Sequence, residues 1–166
     1  MDDAKLFSLV DTERAGAKAE LAYNAIRRLL ASELPSGAEM HHVGATAIPG
    51  CLTKGDLDIV VRVPTQSFAD VDRMLASKFN RNEGSIRTAT FSAFEDTSCD
   101  PQLGIQLTAI DGPFDFFHRF VQALTSSPQL LKEYNALKRA HNGRDASLYR
   151  AAKAQFIERV LTAHIF

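Results

Sequence analysis

Residues 43–63 read V-G-A-T-A-I-P-G-C-L-T-K-G-D-L-D-I-V-V-R-V. The second half, Leu57 to Val63, is rich in β-branched residues and is stopped by Pro64, which predicts a strand. Its Ile-Val-Val run marks that strand as buried and central. Asp56 and Asp58 stand at i and i+2, so both carboxylates are expected on one face, about 7 Å apart by strand rise. Two carboxylates on one face repel. In an apolar strand the pair is favourable where a cation neutralises it, and hard oxygen ligands at this separation suit Mg²⁺ or Mn²⁺ shared with a phosphate group. The competing reading, two aspartates lining the solvated face of an edge strand, fits the apolar run less well. Upstream, Gly44-Ala45-Thr46 offers a glycine followed by small residues at the end of a strand, a bend that lets backbone amides approach a phosphate.

Working outward, Leu6, Leu9 and Val10 followed by Ala17, Leu21, Ala25, Leu29 and Leu30 predict a helix or helix pair that stops before Leu34-Pro35-Ser36-Gly37. Met40 to Val43 reads as a short strand. Phe68, Val71, Met74, Leu75 and Phe79 predict a helix ended by residues 80–84. Strands are expected over Ile86 to Phe94 and Leu103 to Ile110. Beyond Pro113 the pattern is helical: Phe114 to Leu124, Leu130 to His141 after the Ser127-Pro128 start signal, and Ala146 to Ala163. The expected architecture is α+β, a small mixed β-sheet of about four to five strands packed by helices, in a single domain over 1–166 with an α/β core over about 1–112 and a helical C-terminal part over about 113–166.

The chain has 166 residues, one domain's length, with 45% hydrophobic and 23% charged residues, which excludes a disordered chain. Nineteen basic and twenty acidic side chains leave a net charge of -1, so no whole-surface field favours nucleic acid or an anionic membrane. A nucleic-acid substrate and a membrane partner are therefore not expected. Cys51 and Cys99 lack zinc-site spacing and read as reduced thiols. An acidic N-terminus and the lack of a long apolar run lead us to expect a cytoplasmic protein.

A hydrophobic residue, glycine, a small residue, ten positions, then Asp-hydrophobic-Asp-hydrophobic resembles the signature of the polymerase-beta-like nucleotidyltransferase superfamily. Within it, H-V-G-A-T-A-I-P-G followed by T-K-G-D-L-D-I is similar to the GrpB-like family. The stretches S-P-Q-L-L-K-E-Y-N-A-L-K and Y-R-A-A-K-A-Q-F-I-E-R resemble that family's closing helices. The resemblance implies a nucleotidyltransferase-like fold and transfer of a nucleoside monophosphate from a nucleoside triphosphate to an acceptor, a small molecule or a protein. It implies that Asp56 and Asp58 hold divalent metal, Mg²⁺ or Mn²⁺, and that Gly44 and Thr46 present an amide and a hydroxyl to phosphates. Lys54, two residues before Asp56, either contacts a phosphate or is a solvated loop lysine. The superfamily's third carboxylate falls on a later strand, where this chain has Gln106, with Glu95 as a possible substitute. Position 45 is alanine where the superfamily has serine or glycine.

From Phe116 onward eight basic residues face three acids, a local excess of +5. Lys153 lies inside the apolar stripe of the last helix, four residues after Tyr149, and either snorkels to solvent or reaches an anion. The resemblance, which includes this Tyr and Lys, implies a phosphate-facing role for Tyr149 and Lys153, with Lys138 as a neighbour. His41 and His42 should point to opposite faces and read as packed or solvated histidines. Ser92, Ser98, His118 and Cys51 show no nucleophile spacing. Two rival functions remain: a non-catalytic nucleotide- or anion-binding protein that keeps the fold, and an interaction module whose basic helices dock on an acidic partner.

Overall fold

The computed structural model describes residues 6–163. Helix α1 (Thr12–Leu30) is followed by β1 (Glu39–Val43), a short 3₁₀ turn (Ala45–Ala47), β2 (Leu57–Val63) and α2 (Phe68–Lys78). Then come β3 (Asn80–Arg81), β4 (Phe91–Asp96), β5 (Leu103–Ala109), α3 (Phe117–Ser126), α4 (Pro128–His141) and α5 (Ala146–Ala163). The five strands form one sheet in the order β1-β2-β5-β4-β3. Only β2 and β5 run parallel; the other neighbours are antiparallel. The fold is thus α+β with a mixed sheet, as the pattern predicts.

Alternation along β2 separates the two faces of the sheet. Leu57, Ile59, Val61 and Val63 join Leu103, Ile105, Leu107 and Ala109 in a core closed by α1 and α2. The opposite face carries Asp58, Val60 and Arg62 and meets the C-terminal helices, which have a second core around Phe120, Tyr134, Phe156 and Val160. The chain is therefore a three-layer sandwich of helix pair, sheet and helical bundle.

Four expectations shift. Leu6 and Val10 lie outside α1, because the Asp11 side chain accepts from the Arg14 amide and starts the helix there. They form isolated bridges to Asp145 and Thr53 instead. The strand expected from Ile86 begins only at Phe91, since Thr88 Oγ1 accepts from the Thr90 amide at 3.1 Å and the Thr88 amide bonds Phe91 O at 2.8 Å, so local bonds replace a ladder. Asn80 and Arg81, expected as a helix stop, pair with Glu95 and Phe94 as a short edge strand.

The helix expected from Phe114 starts at Phe117, because Asp115 is used as an anchor. Arg62 Nε and Nη2 donate to the two Asp115 oxygens at 2.6 and 2.7 Å, and Nη1 donates to Glu39 at 2.5 Å. The Asp111 amide also donates to Asp115 at 2.9 Å. Burial pushes the Asp115 carboxyl up, but the hydrogen bonds and charge of Arg62 outweigh it and hold it below the ordinary range. This fork–fork pair fastens the helical half to β2. Asp115→Ala leaves the Arg62 charge buried with only the partly exposed Glu39, so we expect a loss of about 3 kcal/mol in urea unfolding.

Candidate functional site

The site is built where β1 ends. Val43 pairs with Asp58 on β2, and Asp58 pairs on its other side with Gly104 on β5. Gly44 then takes φ 73°, a left-handed conformation open to glycine, and turns the chain into the 3₁₀ segment. A methyl group on Gly44 would lie 2.7 Å from Asp58 Oδ2 and 3.1 Å from its Cβ. One on Gly104 would lie 2.8 Å from Asp58 Oδ1. The carboxylate is thus lodged in the space that two missing side chains leave open, one just past the end of β1 and one on β5. Burial raises the Asp58 pKa above its ordinary value; Lys153 opposes the shift and Asp56 adds to it.

Asp58 borders a cleft of about 110 Å³ between the sheet and the C-terminal helices. Gly44, Gln106 and Lys153 line it with Asp58, and Phe116, Phe117, Phe120 and Tyr134 form its apolar wall. Of the residues singled out from sequence, the structure brings Gly44, Asp58 and Lys153 together here. It does not bring the other five into this cleft. Asp56 lies one residue before β2 and pairs with Lys54 at 3.1 Å, and both border a wider, open cleft of about 610 Å³ shared with Arg14, Lys18 and Gln102. Asp56 is still close enough to raise the proton affinity of Asp58, so its charge reaches Asp58 without the two sharing a wall.

Thr46 borders a third cleft, of about 500 Å³, on the α1 side. Its hydroxyl donates to the Asp56 carbonyl at 3.0 Å and contacts His42 Nε2 at 2.8 Å. Lys138 and Tyr149 stand behind the Tyr134 wall. Lys138 is 2% exposed, its Nζ donates to the Tyr149 hydroxyl at 2.9 Å, and it lies 4.6 Å from the Tyr134 ring centre. Among the described residues no carboxylate is paired with it. Burial, with the Lys153 charge adding to it, lowers its pKa to about 8.

The position of the expected third carboxylate is filled by Gln106, whose Oε1 is buried without a hydrogen-bond partner. Glu95 sits opposite Gly104, in the same cross-sheet row as Asp58 but two strands away. Among the described residues, no group of three or more His, Cys, Asp and Glu is placed to hold a metal ion. The sequence reading missed Gly104; a lone glycine inside a strand was the available signal for a close approach. It also missed the His42 contacts, although His41 and His42 do point to opposite sides, toward the His118 and Tyr23 rings.

Comparison with known proteins places these features in a family. The GrpB protein family model matches residues 13–163. A UPF0157 protein from Vibrio cholerae is 34% identical over 146 residues, covering 87% of this chain and 77% of that protein. The crystal structure of the conserved protein GrpB from Enterococcus faecalis superposes with a TM-score of 0.62 at 15% identity, covering 94% of each chain. The Cid1 poly(U) polymerase in its MgATP-bound form superposes with a TM-score of 0.51 at 14% identity, over 78% of this chain and 42% of that one. The fold is therefore similar to that of the GrpB and Cid1 structures.

Two outcomes test this geometry. Gly104→Ala should displace the Asp58 carboxylate and destabilise the wild-type background by about 1–3 kcal/mol, yet be close to neutral in an Asp58→Ala background, a coupling read by a double-mutant cycle of urea unfolding. For Lys138, the unfolded chain keeps its proton up to the ordinary value of 10.5 while the folded chain releases it near 8. The unfolded state binds more protons between those values, so stability relative to Lys138→Met should rise from pH 8 to 10.5 and stay level below pH 7.

Proposed function

Because the chain belongs to the GrpB family, we propose that the Asp58 cleft is a nucleoside triphosphate site and that the protein is a metal-dependent nucleotidyltransferase acting on an acceptor hydroxyl or phosphate. One observation carries the reading: a half-buried, unpaired carboxylate admitted by two glycines, one of them in a left-handed bend, and lining one cleft with Lys153. A purely structural carboxylate would be paired or solvated. This one, half-buried at the cleft, has no hydrogen bond or salt bridge among the described residues, and burial raises its proton affinity.

The donor chemistry fits a hard divalent cation. Asp58 and the orphaned Gln106 Oε1 are oxygen donors lining one cleft, with Asp56 on the neighbouring one, and oxygen donors suit Mg²⁺ or Mn²⁺, which the Cid1 structure with MgATP makes the natural first choice. Such an ion, when bound, supplies charge neutralisation at the phosphates. The chain's own residues do the rest. Gly44 leaves the bend open to a phosphate, and Lys153 offsets charge on the helical side. Lys54, about half exposed, is free to leave Asp56 for a phosphate oxygen. Thr46 shapes the bend, and Lys138, hydrogen-bonded to Tyr149, adds positive potential from behind the wall. The site needs both the α/β core and the helical part, so we propose that residues 1–166 act as one domain. No described helix is long and apolar enough to cross a membrane, and we propose a cytoplasmic location with neither nucleic acid nor membrane as partner.

A second reading, nucleotide or anion binding without transfer, is favoured by Gln106. A neutral amide at that position supplies an oxygen but no charge, which weakens the case for a second metal. Release of pyrophosphate from a triphosphate panel with Mg²⁺ or Mn²⁺ supports the enzyme, whereas saturable binding without release supports the second reading.

Asp58→Asn tests both. The raised pKa means that the native state binds more protons than the unfolded state above the ordinary carboxyl value, so ionised Asp58 lowers stability at neutral pH. The variant should melt higher than wild type without ligand. Ligand at a hundred times Kd adds about 2.7 kcal/mol to wild type, roughly 5–10 °C for a chain this long, and Asp58→Asn should lose that shift. An unchanged MgATP-induced shift would sink the assignment.

A further inference from the structure

Four elements meet at one histidine. His42 on β1 has 8% of its side chain exposed; its Nδ1 lies 2.9 Å from Glu20 Oε2 on α1, and its Nε2 lies 2.8 Å from Thr46 Oγ1 in the 3₁₀ turn. The Tyr23 ring of α1 lies against the imidazole at 5.5 Å between centres. Thr46 Oγ1 in turn donates to the Asp56 carbonyl at 3.0 Å.

Proton counting fixes the roles along this chain. A hydroxyl has one proton; with that proton given to Asp56, Thr46 Oγ1 can only accept from His42. An ionised Glu20 also only accepts. His42 thus spans α1 and the turn with a hydrogen bond at each ring nitrogen. The charged groups facing it are Glu20 from α1 and Asp58 from β2, whose proton affinity the His42 charge lowers. Tyr23 from α1 supplies a ring face.

The connection matters because ten residues, 46 to 55, separate the bend from the acid pair along the chain. The β1–β2 ladder holds the chain only as far as the Val43–Asp58 pair, and a loop of that length does not by itself hold the bend beyond it against Asp56. The Thr46–Asp56 bond ties the bend directly to the backbone just before β2, and His42 directs the Thr46 proton toward it.

We infer that His42 is a positioning residue of the phosphate site: bridging Glu20 and Thr46, it locks the bend after β1 to the backbone of Asp56 and so holds Gly44 and the acid pair at their working spacing. The inference deepens the nucleotide-site reading and rests on it for its consequence on binding, but the hydrogen-bonded relay exists in the free protein. His42 does not border the Asp58 cleft, so it acts through Thr46 and not by touching substrate.

The test combines three readouts. In ¹H–¹⁵N spectra of the histidine rings, His42 of wild type should show both nitrogens hydrogen-bonded, and Thr46→Val and Glu20→Gln should each shift the resonance of the nitrogen that loses its partner. In MgATP titrations, His42→Asn and Thr46→Val should each weaken binding by about tenfold or more, the double variant should be no worse than the weaker-binding single, and Thr46→Ser should recover most of what Thr46→Val loses. In urea unfolding, the same cycle should show coupling between positions 42 and 46. His42 ring resonances that Thr46→Val and Glu20→Gln leave unchanged, or additive losses in the cycles, would overturn the inference. If wild type binds no nucleotide, the functional reading fails, while the ring spectra and the unfolding cycle still decide the role of His42.

Discussion

The lodging of the Asp58 carboxylate between two backbones is the constraint on which the rest of the structure turns. Val43, Asp58, Gly104 and Glu95 form one row across four strands, and the middle of that row is open because position 104 has no side chain. A register slip of one residue on β1 or β5 would set a side chain against the carboxylate and send Asp58's neighbours to the wrong face. The β2 register is therefore pinned twice, by Leu57, Ile59 and Val61 in the α1–α2 core and by the acid on the other face. The same crowding that fixes the strand half-buries Asp58 and raises its proton affinity, so one piece of geometry sets both the register and the electrostatics there.

The helical half supplies what the sheet lacks. Held to β2 by the Arg62–Asp115 pair, it brings Phe116, Phe117 and Lys153 over the Asp58 face. The charges gathered around the site are two acids, Asp56 and Asp58, and three lysines at 54, 138 and 153, and their mutual influence is visible in the proton affinities of Asp58 and Lys138. Lys138 is unusual among them, because a lysine enclosed by aromatic rings without a carboxylate lowers stability at neutral pH. Such a residue is tolerated where its field serves something else, and an anion in the adjoining cleft is the most direct candidate.

How much of this was legible in the chain differs residue by residue. The strand 57–63 could be read because β-branched density and Pro64 bound it on chemistry alone, and Gly44 because a glycine ahead of small residues signals a bend. The Ser127 cap of α4 was equally plain, and its hydroxyl accepts from the Leu130 amide at 3.3 Å. Resemblance to the GrpB-like family pointed to the same acids. The common face of Asp56 and Asp58 was only half right, since β2 starts at Leu57 and Asp56, outside the ladder, turns to Lys54. Ile86 to Thr90 looked like strand by composition, yet threonine side chains bonded to nearby backbone took those residues out of the sheet.

What the sequence determined by itself was everything that depends on neighbours along the chain: the periodicities, the caps, the bend at Gly44 and the acid pair two residues apart. Tertiary structure alone decided that Gly104, forty-six positions beyond Asp58, makes its room, that Lys153 faces it while Lys138 is sealed behind a tyrosine, and that His42 reaches both Glu20 and Thr46. Those outcomes rest on strand pairing and helix packing between distant segments. Burial, and with it the strength of every charge at the site, exists only once those segments have excluded water together.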